Sequence, residues 1–285
     1  MKNLSSFEKF YEKSNNPLES DNNLDLIVKA YLTTDSQDSY YQKMVGDNYK
    51  KFKCGLKNEQ GVENYLLKED GKWLYYFGGD QFYPEYEMYK NDVRHQLYIS
   101  AGYEMLDSIK TDFIKFCCKN EIPFCLKVCN DKRNDNLVLY ATDSNFFYYL
   151  EALKNYSKSF KLNNPFCQRS DMLKAKYTPD VTGLLEPPIL TSKICKWIGY
   201  GSGKAEESYV ENRVKYLKQI IPEVLEEYSI QEIEKYNELK SRTKLLTDLK
   251  RYVIETSEQA NIDPNNFAFN LDVAEEINSG KKLVK

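Results

Sequence analysis

The sequence predicts an α+β protein in which an antiparallel sheet is flanked by helices. Short runs of alternating apolar and polar residues occur in pairs joined by turn residues, a pattern typical of antiparallel hairpins. Between them lie segments with apolar residues three or four positions apart, which predict amphipathic helices. The chain has 285 residues, of which 41% are apolar, so it can bury a substantial core.

The N-terminal part, residues 1–90, is predicted to be an extension of helices and one hairpin. Helices are expected at about 4–13 and 24–33. Residues 61–68 and 73–77 are expected to form the hairpin, because the Asp-Gly pair between them supplies a tight turn. Tyrosines and a tryptophan give this hairpin an aromatic face. We expect the extension to cover the sheet, with binding of a peptide or a partner protein as the alternative.

The remaining residues, 91–285, are predicted to be an α+β domain with a helical tail, forming one compact unit with the extension. Each element follows from its own pattern of apolar, capping and turn residues. In order, the expected elements are a strand at 93–101, a helix at 103–119, a hairpin of strands at 124–129 and 136–140, a helix at 143–159 capped by Asp143, an irregular stretch at 165–203, a helix at 205–228, a charged helical tail at 230–257 and a last helix after 263.

Composition excludes several classes of partner. The 40 basic and 43 acidic residues give a net charge of −3, so no general basic field is available for nucleic acid. No apolar run is long enough to span a membrane, and the first residues lack the apolar core of a signal peptide. We therefore expect no nucleic-acid or membrane partner and a cytoplasmic location, with secretion as an effector as the alternative.

Metal and cofactor sites are not predicted either. His95 is the only histidine, and the seven cysteines show no CxxC spacing of the kind found in zinc sites. The stretch 199–204 superficially resembles a phosphate-binding loop, but isoleucine replaces its first glycine and alanine follows its lysine. A flexible connector is the better prediction for this stretch.

Arginine is scarce in this chain, where lysine supplies most of the positive charge. Arginine binds phosphate through two parallel hydrogen bonds, whereas lysine acts as a mobile point charge. The position of each arginine is therefore of interest. The six arginines are Arg94, Arg133, Arg169, Arg213, Arg242 and Arg251.

Lys127 is the centre of the most informative cluster. Alternation along the strand 124–129 turns Cys125, Lys127 and Cys129 away from the core. A partly buried lysine near arginines loses its proton more readily and can act as a general base near neutral pH. The alternative is that Lys127 only protects the edge of the sheet. The other polar side chains that the predicted strands bring towards it are Arg94, His95, Tyr98, Arg133 and Tyr140.

Four segments carry a resemblance to a known family: PFCLKV at 123–128, RNDNLVLY at 133–140, PILT at 188–191 and ESYVENR at 207–213. They resemble segments of the HopA-type effector-like proteins, a family first named from bacterial type III effectors. Relatives of that family occur in gene clusters for lanthipeptides and thioamide-containing peptides. The resemblance extends loosely over residues 20–228.

That family is distantly similar to phosphothreonine lyases of the OspF/SpvC type, which eliminate phosphate and leave a dehydroamino acid without metal or cofactor. By resemblance, Lys127 is the base, Arg133 and Arg213 bind the phosphate, and Tyr140 contributes a phosphate-contacting hydroxyl. Arg94 completes the expected phosphate-binding set.

The general acid is the point at which this chain departs from the lyases. Tyr98 occupies the position of their histidine. His95 lies three residues away and by strand alternation points to the other face, whereas Arg94 shares a side with Tyr98. Three alternatives stay open: Tyr98 acts as the acid, His95 reaches the site through a bulge, or the activity is absent.

The resemblance thus implies a phosphoserine/phosphothreonine lyase-like enzyme that acts on a phosphorylated precursor peptide in ribosomal, lanthipeptide-like peptide biosynthesis. A separate kinase would phosphorylate that peptide. The alternatives are a non-enzymatic secreted effector, a phosphopeptide-binding module, or a pocket for a different anion.

Overall fold

An antiparallel sheet with helices packed around it forms the described part of the chain, which confirms the α+β class. The helices expected at 4–13 and 24–33 lie outside this part. The computed structural model describes residues 65–71, 73–79, 92–129, 135–156, 187, 191–203, 209–227 and 239–279.

The sheet has seven strands in the order β1-β2-β4-β5-β3-β7-β6, and all neighbours are antiparallel. The β1–β2 hairpin belongs to this sheet, because β2 pairs with β4 along its whole length. The strands are β1 Tyr65–Asp70, β2 Trp73–Gly78, β3 His95–Ile99, β4 Phe124–Cys129, β5 Leu137–Ala141, β6 Ser192–Lys193 and β7 Ile198–Ser202.

Five α-helices lie within the described residues, and none of them is long and apolar enough to cross a membrane. The expected N-cap at Asp143 is wrong. Asn145 stands at that position, and the Asp143 carboxylate instead accepts hydrogen bonds from His95 and Arg94. The helices are α1 Tyr103–Lys119, α2 Phe146–Leu153, α3 Tyr209–Glu226, α4 Leu239–Thr256 and α5 Leu271–Asn278.

One face of the sheet, here called the core face, packs against α1 and α2. The ring of Phe113 on α1 meets Phe124 on β4 and Tyr149 on α2 edge-on, with centroids 6.3 and 4.8 Å apart. Burial of such aromatic and aliphatic side chains is the main force that holds helices on a sheet. Cross-strand pairing places one continuous row on this face: Tyr76, Leu126, Leu139, Leu97 and Tyr200.

The expectation of an irregular stretch at 165–203 is wrong for its last part, which forms β6 and β7. The flexible connector expected at 199–204 is likewise a buried strand up to Ser202. Its glycines have a packing role: a Cβ atom on Gly201 would lie 2.6 Å from the ring of Tyr209. Glycine in β7 therefore allows α3 to pack closely on the sheet.

Candidate functional site

The face of the sheet opposite the core face, here called the second face, carries the predicted base. Cross-strand pairing places Tyr75, Lys127, Val138, Tyr98 and Gly199 in one row, one residue per strand. Only β5 separates Lys127 from Tyr98, which corresponds to about 10 Å between their backbones. The fold thus brings two of the predicted site residues to one face.

Lys127 is half-buried between two aromatic rings. Its Nζ atom lies 4.3 Å from the centroid of Trp73 and 5.3 Å from that of Tyr140, within the range of cation–π attraction. Its strand, β4, is an interior strand between β2 and β5. Protection of a sheet edge therefore does not explain this lysine.

Two buried tyrosines share this face of the sheet with Lys127. Tyr140 occupies the next row of the second face, and burial raises its pKa well above the usual value, with the nearby Tyr98 acting in the same direction. Its hydroxyl therefore stays protonated and can donate a hydrogen bond to an anion. The Tyr98 hydroxyl donates to Gln96 Oε1 at 2.6 Å.

Arg213 on α3 reaches the same face through Tyr209. The Tyr209 ring lies 5.8 Å from the Tyr98 ring, and the guanidinium carbon of Arg213 lies 4.8 Å above Tyr209. Arg213 Nε donates to the Phe267 carbonyl at 2.8 Å, and Nη2 donates to Asn270 Oδ1 at 2.9 Å. The guanidinium is fully buried.

The hydrogen-bond acceptors of Arg213 are neutral. They are the Phe267 carbonyl, the side-chain amides of Asn212 and Asn270, and the Tyr209 hydroxyl, which is neutral because burial raises its pKa. No carboxylate of the described residues forms an ion pair with this guanidinium, although burial lowers its pKa and so disfavours the charge. A guanidinium has five N–H donors, so one donor remains for a further acceptor.

His95 lies on the core face, opposite Tyr98, as strand alternation predicts. Its Nε2 atom is 2.7 Å from Asp143 Oδ1, and its Nδ1 atom is 2.9 Å from the Tyr200 hydroxyl. Burial lowers the pKa of His95 and raises that of Tyr200. We therefore assign a neutral ring that donates from Nε2 to Asp143 and accepts from Tyr200. β3 pairs regularly over His95–Ile99, so it has no bulge that would turn this ring to the second face.

Arg94 bonds to the same carboxylate, Asp143, as His95 does. The expectation that Arg94 shares a side with Tyr98 is therefore wrong. It precedes β3 and is oriented by carboxylates instead of by strand alternation. Its guanidinium bonds to Asp143 Oδ2 at 3.1 Å, Glu276 Oε2 at 3.0 Å and Asp272 Oδ2 at 3.1 Å. These three anions compensate its charge.

The remaining predicted residue, Arg133, lies outside the described residues. Within them, no group of acidic, cysteine and histidine side chains could hold a metal ion. The sequence reasoning missed Trp73, Gln96 and Tyr209. Trp73 was noted only as part of an aromatic face, because the pairing of β2 with β4 joins segments about 50 positions apart and leaves no local signal.

Comparison with known proteins supports the fold. No family model and no curated protein matches the chain. A solved structure of an effector protein from Pseudomonas syringae pv. syringae strain 61 has a TM-score of 0.52 and 14% identity, covering 94% of this chain and 98% of that one. The effector structure from P. syringae pv. tomato strain DC3000 has a TM-score of 0.46, 13% identity and the same coverage. The chain therefore has the fold of a P. syringae effector protein, and the resemblance to the HopA-type effector-like family is confirmed at the level of the fold.

Proposed function

We propose that the second face is the active site of a phosphoserine/phosphothreonine lyase-like enzyme that acts on a phosphorylated precursor peptide. One observation carries this proposal: the fully buried Arg213 has only neutral hydrogen-bond acceptors, and the rings of Tyr209 and Tyr98 link it to the face of the sheet that carries Lys127. A buried charge is normally compensated by an ion pair, because isolated burial is costly. A phosphate dianion on this face would supply that compensation.

The residues of this face suit a β-elimination. The lone pair of Lys127 Nζ takes the Cα proton of the phosphorylated residue, and the Cα–H electrons form the Cα=Cβ double bond. The Cβ–O bond breaks with its electrons on the phosphate oxygen. A proton from the Tyr98 hydroxyl then lets hydrogenphosphate depart and leaves a dehydroamino acid. Arginine stabilises the departing phosphate through charge-assisted hydrogen bonds.

The roles divide among four described residues and one other. Lys127 is the base, Tyr98 the acid, and Arg213 and Tyr140 bind the phosphate, together with Arg133 as expected from the sequence. We assign no role in this site to His95 or Arg94, because His95 is bonded to Asp143 and Arg94 to Glu276, away from the second face. A separate kinase would supply the phosphorylated peptide, in ribosomal peptide biosynthesis of the lanthipeptide type.

Replacement of Lys127 by alanine tests the proposal. The wild-type protein is incubated with a phosphothreonine peptide, and the mass of the product peptide is measured by mass spectrometry. We expect loss of phosphoric acid, and we expect Lys127→Ala to slow it by about a hundred- to ten-thousand-fold, the usual contribution of a general base.

Lys68→Ala is the matched control. Lys68 is exposed on β1 and shares the second face by register, but β2 separates it from Lys127. Its replacement should leave the rate unchanged. Elimination by Lys127→Ala at the wild-type rate would exclude the assigned base.

A phosphopeptide-binding module is the second candidate, and one observation favours it. The lyases of the resembled type use a histidine acid, whereas the only histidine of this chain is buried on the core face. A module of this kind would bind the phosphothreonine peptide in a calorimetric titration and return it with unchanged mass. Binding that weakens about tenfold or more in Arg213→Lys, without turnover in the wild-type protein, would support the module.

A further inference from the structure

Trp73 lies against the amine of Lys127. Its indole centroid is 4.3 Å from Nζ, closer than the 5.3 Å of Tyr140. In the pairing of β2 with β4, Trp73 is opposite Cys129, one row along from Lys127. The indole thus reaches the lysine diagonally across two adjacent strands, a distance that large aromatic side chains can cover.

A tryptophan ring at this distance distinguishes the two protonation states of an amine. The ammonium ion is attracted by the electron-rich face of the ring, and indole gives the strongest attraction among the aromatic side chains. The neutral amine carries no net charge and gains much less. The indole therefore stabilises the state that a lysine base reaches after it has accepted a proton.

We propose that Trp73 is a positioning residue for Lys127: it holds Nζ over the second face and stabilises the ammonium ion that forms as the Cα proton is transferred. This inference rests on the proposed function. Positive charge develops on Nζ as the N–H bond forms and the Cα–H bond breaks. The indole is already in place on a paired strand, so it stabilises this charge without reorganisation in the transition state.

A graded series of substitutions at Trp73 tests this inference. Trp73→Phe keeps a weaker aromatic face, and Trp73→Leu has none. The first measurement is the pH dependence of the acylation of Lys127 by an uncharged amine-reactive reagent. Peptide mass spectrometry identifies the peptide that carries the label. We expect the pH midpoint of labelling to fall in the order wild type, Phe, Leu, by about half a unit to one and a half units in total.

The second measurement is the elimination rate on the phosphothreonine peptide at a pH above the labelling midpoint of every variant, where Lys127 is deprotonated in all of them and only the stabilisation of the forming ammonium ion differs. We expect the rate to fall about three- to thirty-fold in Trp73→Leu and less in Trp73→Phe. Phe77→Leu, four residues after Trp73 on the same face of β2, controls for loss of a ring from this strand. It should leave the labelling midpoint of Lys127 unchanged.

The two measurements separate this inference from the proposed function. Equal labelling midpoints in wild type, Trp73→Phe and Trp73→Leu would overturn the role of Trp73, even if elimination is observed. A graded shift without any elimination by the wild-type protein would support the contact between the indole and the ammonium and reject the lyase. If Trp73→Leu does not fold, the intermediate shift expected for Trp73→Phe decides the outcome.

Discussion

The side chain of His95 is enclosed between the Tyr200 hydroxyl and the Asp143 carboxylate, and both of its ring nitrogens are hydrogen-bonded. The short contact with Asp143 has the geometry of a salt bridge, but burial lowers the pKa of His95, so the ring is neutral in the folded protein. Burial alone would raise the pKa of Asp143. Hydrogen bonds from His95 and Arg94, together with the positive charge of Arg94, outweigh that effect and lower the pKa of Asp143.

This neutral histidine makes the stability of the protein depend on pH. In the unfolded chain His95 binds a proton with the ordinary pKa of 6.5, whereas in the folded chain its pKa is lower. The stabilisation is therefore present above pH 6.5 and is lost as the pH falls towards the lower pKa of the folded state. Over that window, the free energy of unfolding should fall by about 1.4 kcal/mol per pH unit.

Urea titrations of wild type and His95→Gln between pH 7.5 and 5 check this expectation. The loss in free energy of unfolding on acidification should differ between the two proteins by about 1 kcal/mol. The variant should be less stable at pH 7.5 but lose less stability on acidification. Asp143 contributes separately and only at lower pH, because its pKa is below the ordinary 3.8. Equal slopes for both proteins would show that His95 is charged in the folded state.

Residue roles were predictable from the sequence where they depend on the strand alone. The opposite orientations of His95 and Tyr98, and the turn of Lys127 away from the core, follow from local alternation. The partners of the arginines do not. Arg94 binds Glu276, 182 positions away, and Arg213 binds the carbonyl of Phe267, 54 positions away. No local pattern reveals such contacts.

The C-terminal segment, residues 267–278, is the element that these two arginines hold. Arg94 binds Asp272 and Glu276 on α5, and Arg213 binds the turn that precedes this helix. The backbone N–H of Asn270 also donates to Ser202 Oγ at the end of β7. Because this turn also supplies acceptors to Arg213, the segment helps to position a residue of the proposed site.

Loss of Arg94 should therefore destabilise the protein more than loss of an ordinary surface arginine. Arg94→Gln removes ion pairs to three carboxylates and leaves those carboxylates close to one another, at an expected cost of about 1 to 3 kcal/mol. Arg251→Gln is the control, because Arg251 is 62% exposed and its contacts with Asp248 and Glu255 lie at 3.6 and 3.9 Å. It should cost less than about 0.5 kcal/mol.

Chemical denaturation of both variants at neutral pH compares these costs. Similar midpoints for Arg94→Gln and Arg251→Gln would contradict the view that Arg94 fastens α5 to the sheet. A second readout is limited proteolysis, since a loosened α5 should expose the turn at 261–270 to cleavage before the sheet is cut.

Elements with strong periodic patterns were predicted well, and β7 was not. The helix expected at 103–119 and the strand expected at 124–129 match the structure residue by residue. β7 contains Gly199 and Gly201, and glycine weakens the pattern of a strand. These glycines are explained only by side chains from other elements: Tyr209 lies over Gly201, and Thr191 lies next to Gly199.

At the scale of the molecule, a single sheet joins the predicted N-terminal extension to the predicted main domain. β2 supplies Trp73 next to Lys127, and β4 lies between β2 and β5. The second face of the main domain is therefore completed by the hairpin. We infer that the hairpin and the main domain fold as one cooperative unit.

Cysteine reactivity tests this cooperativity without any substitution. Five cysteines lie within the described residues, and four of them are buried in different parts of the fold: Cys117 on α1, Cys125 and Cys129 on β4, and Cys195 before β7. Burial raises the pKa of the Cys117 and Cys125 thiols, which slows their reaction further. Of these five, half-buried Cys118 should be alkylated first in the native protein.

The four buried thiols should become reactive together as urea is increased, because two-state unfolding exposes them in one transition. Alkylation followed by peptide mass spectrometry gives a midpoint for each cysteine, and the four midpoints should agree within about 0.3 M, a difference that corresponds to about 1 kcal/mol or less. Trp73 borders Cys129 in the register, so the thiol of Cys129 reports on the junction between the hairpin and β4. Exposure of Cys125 and Cys129 well before Cys117 and Cys195 would mean that the hairpin side of the sheet opens separately, and that Lys127 loses its indole neighbour before the rest of the fold is lost.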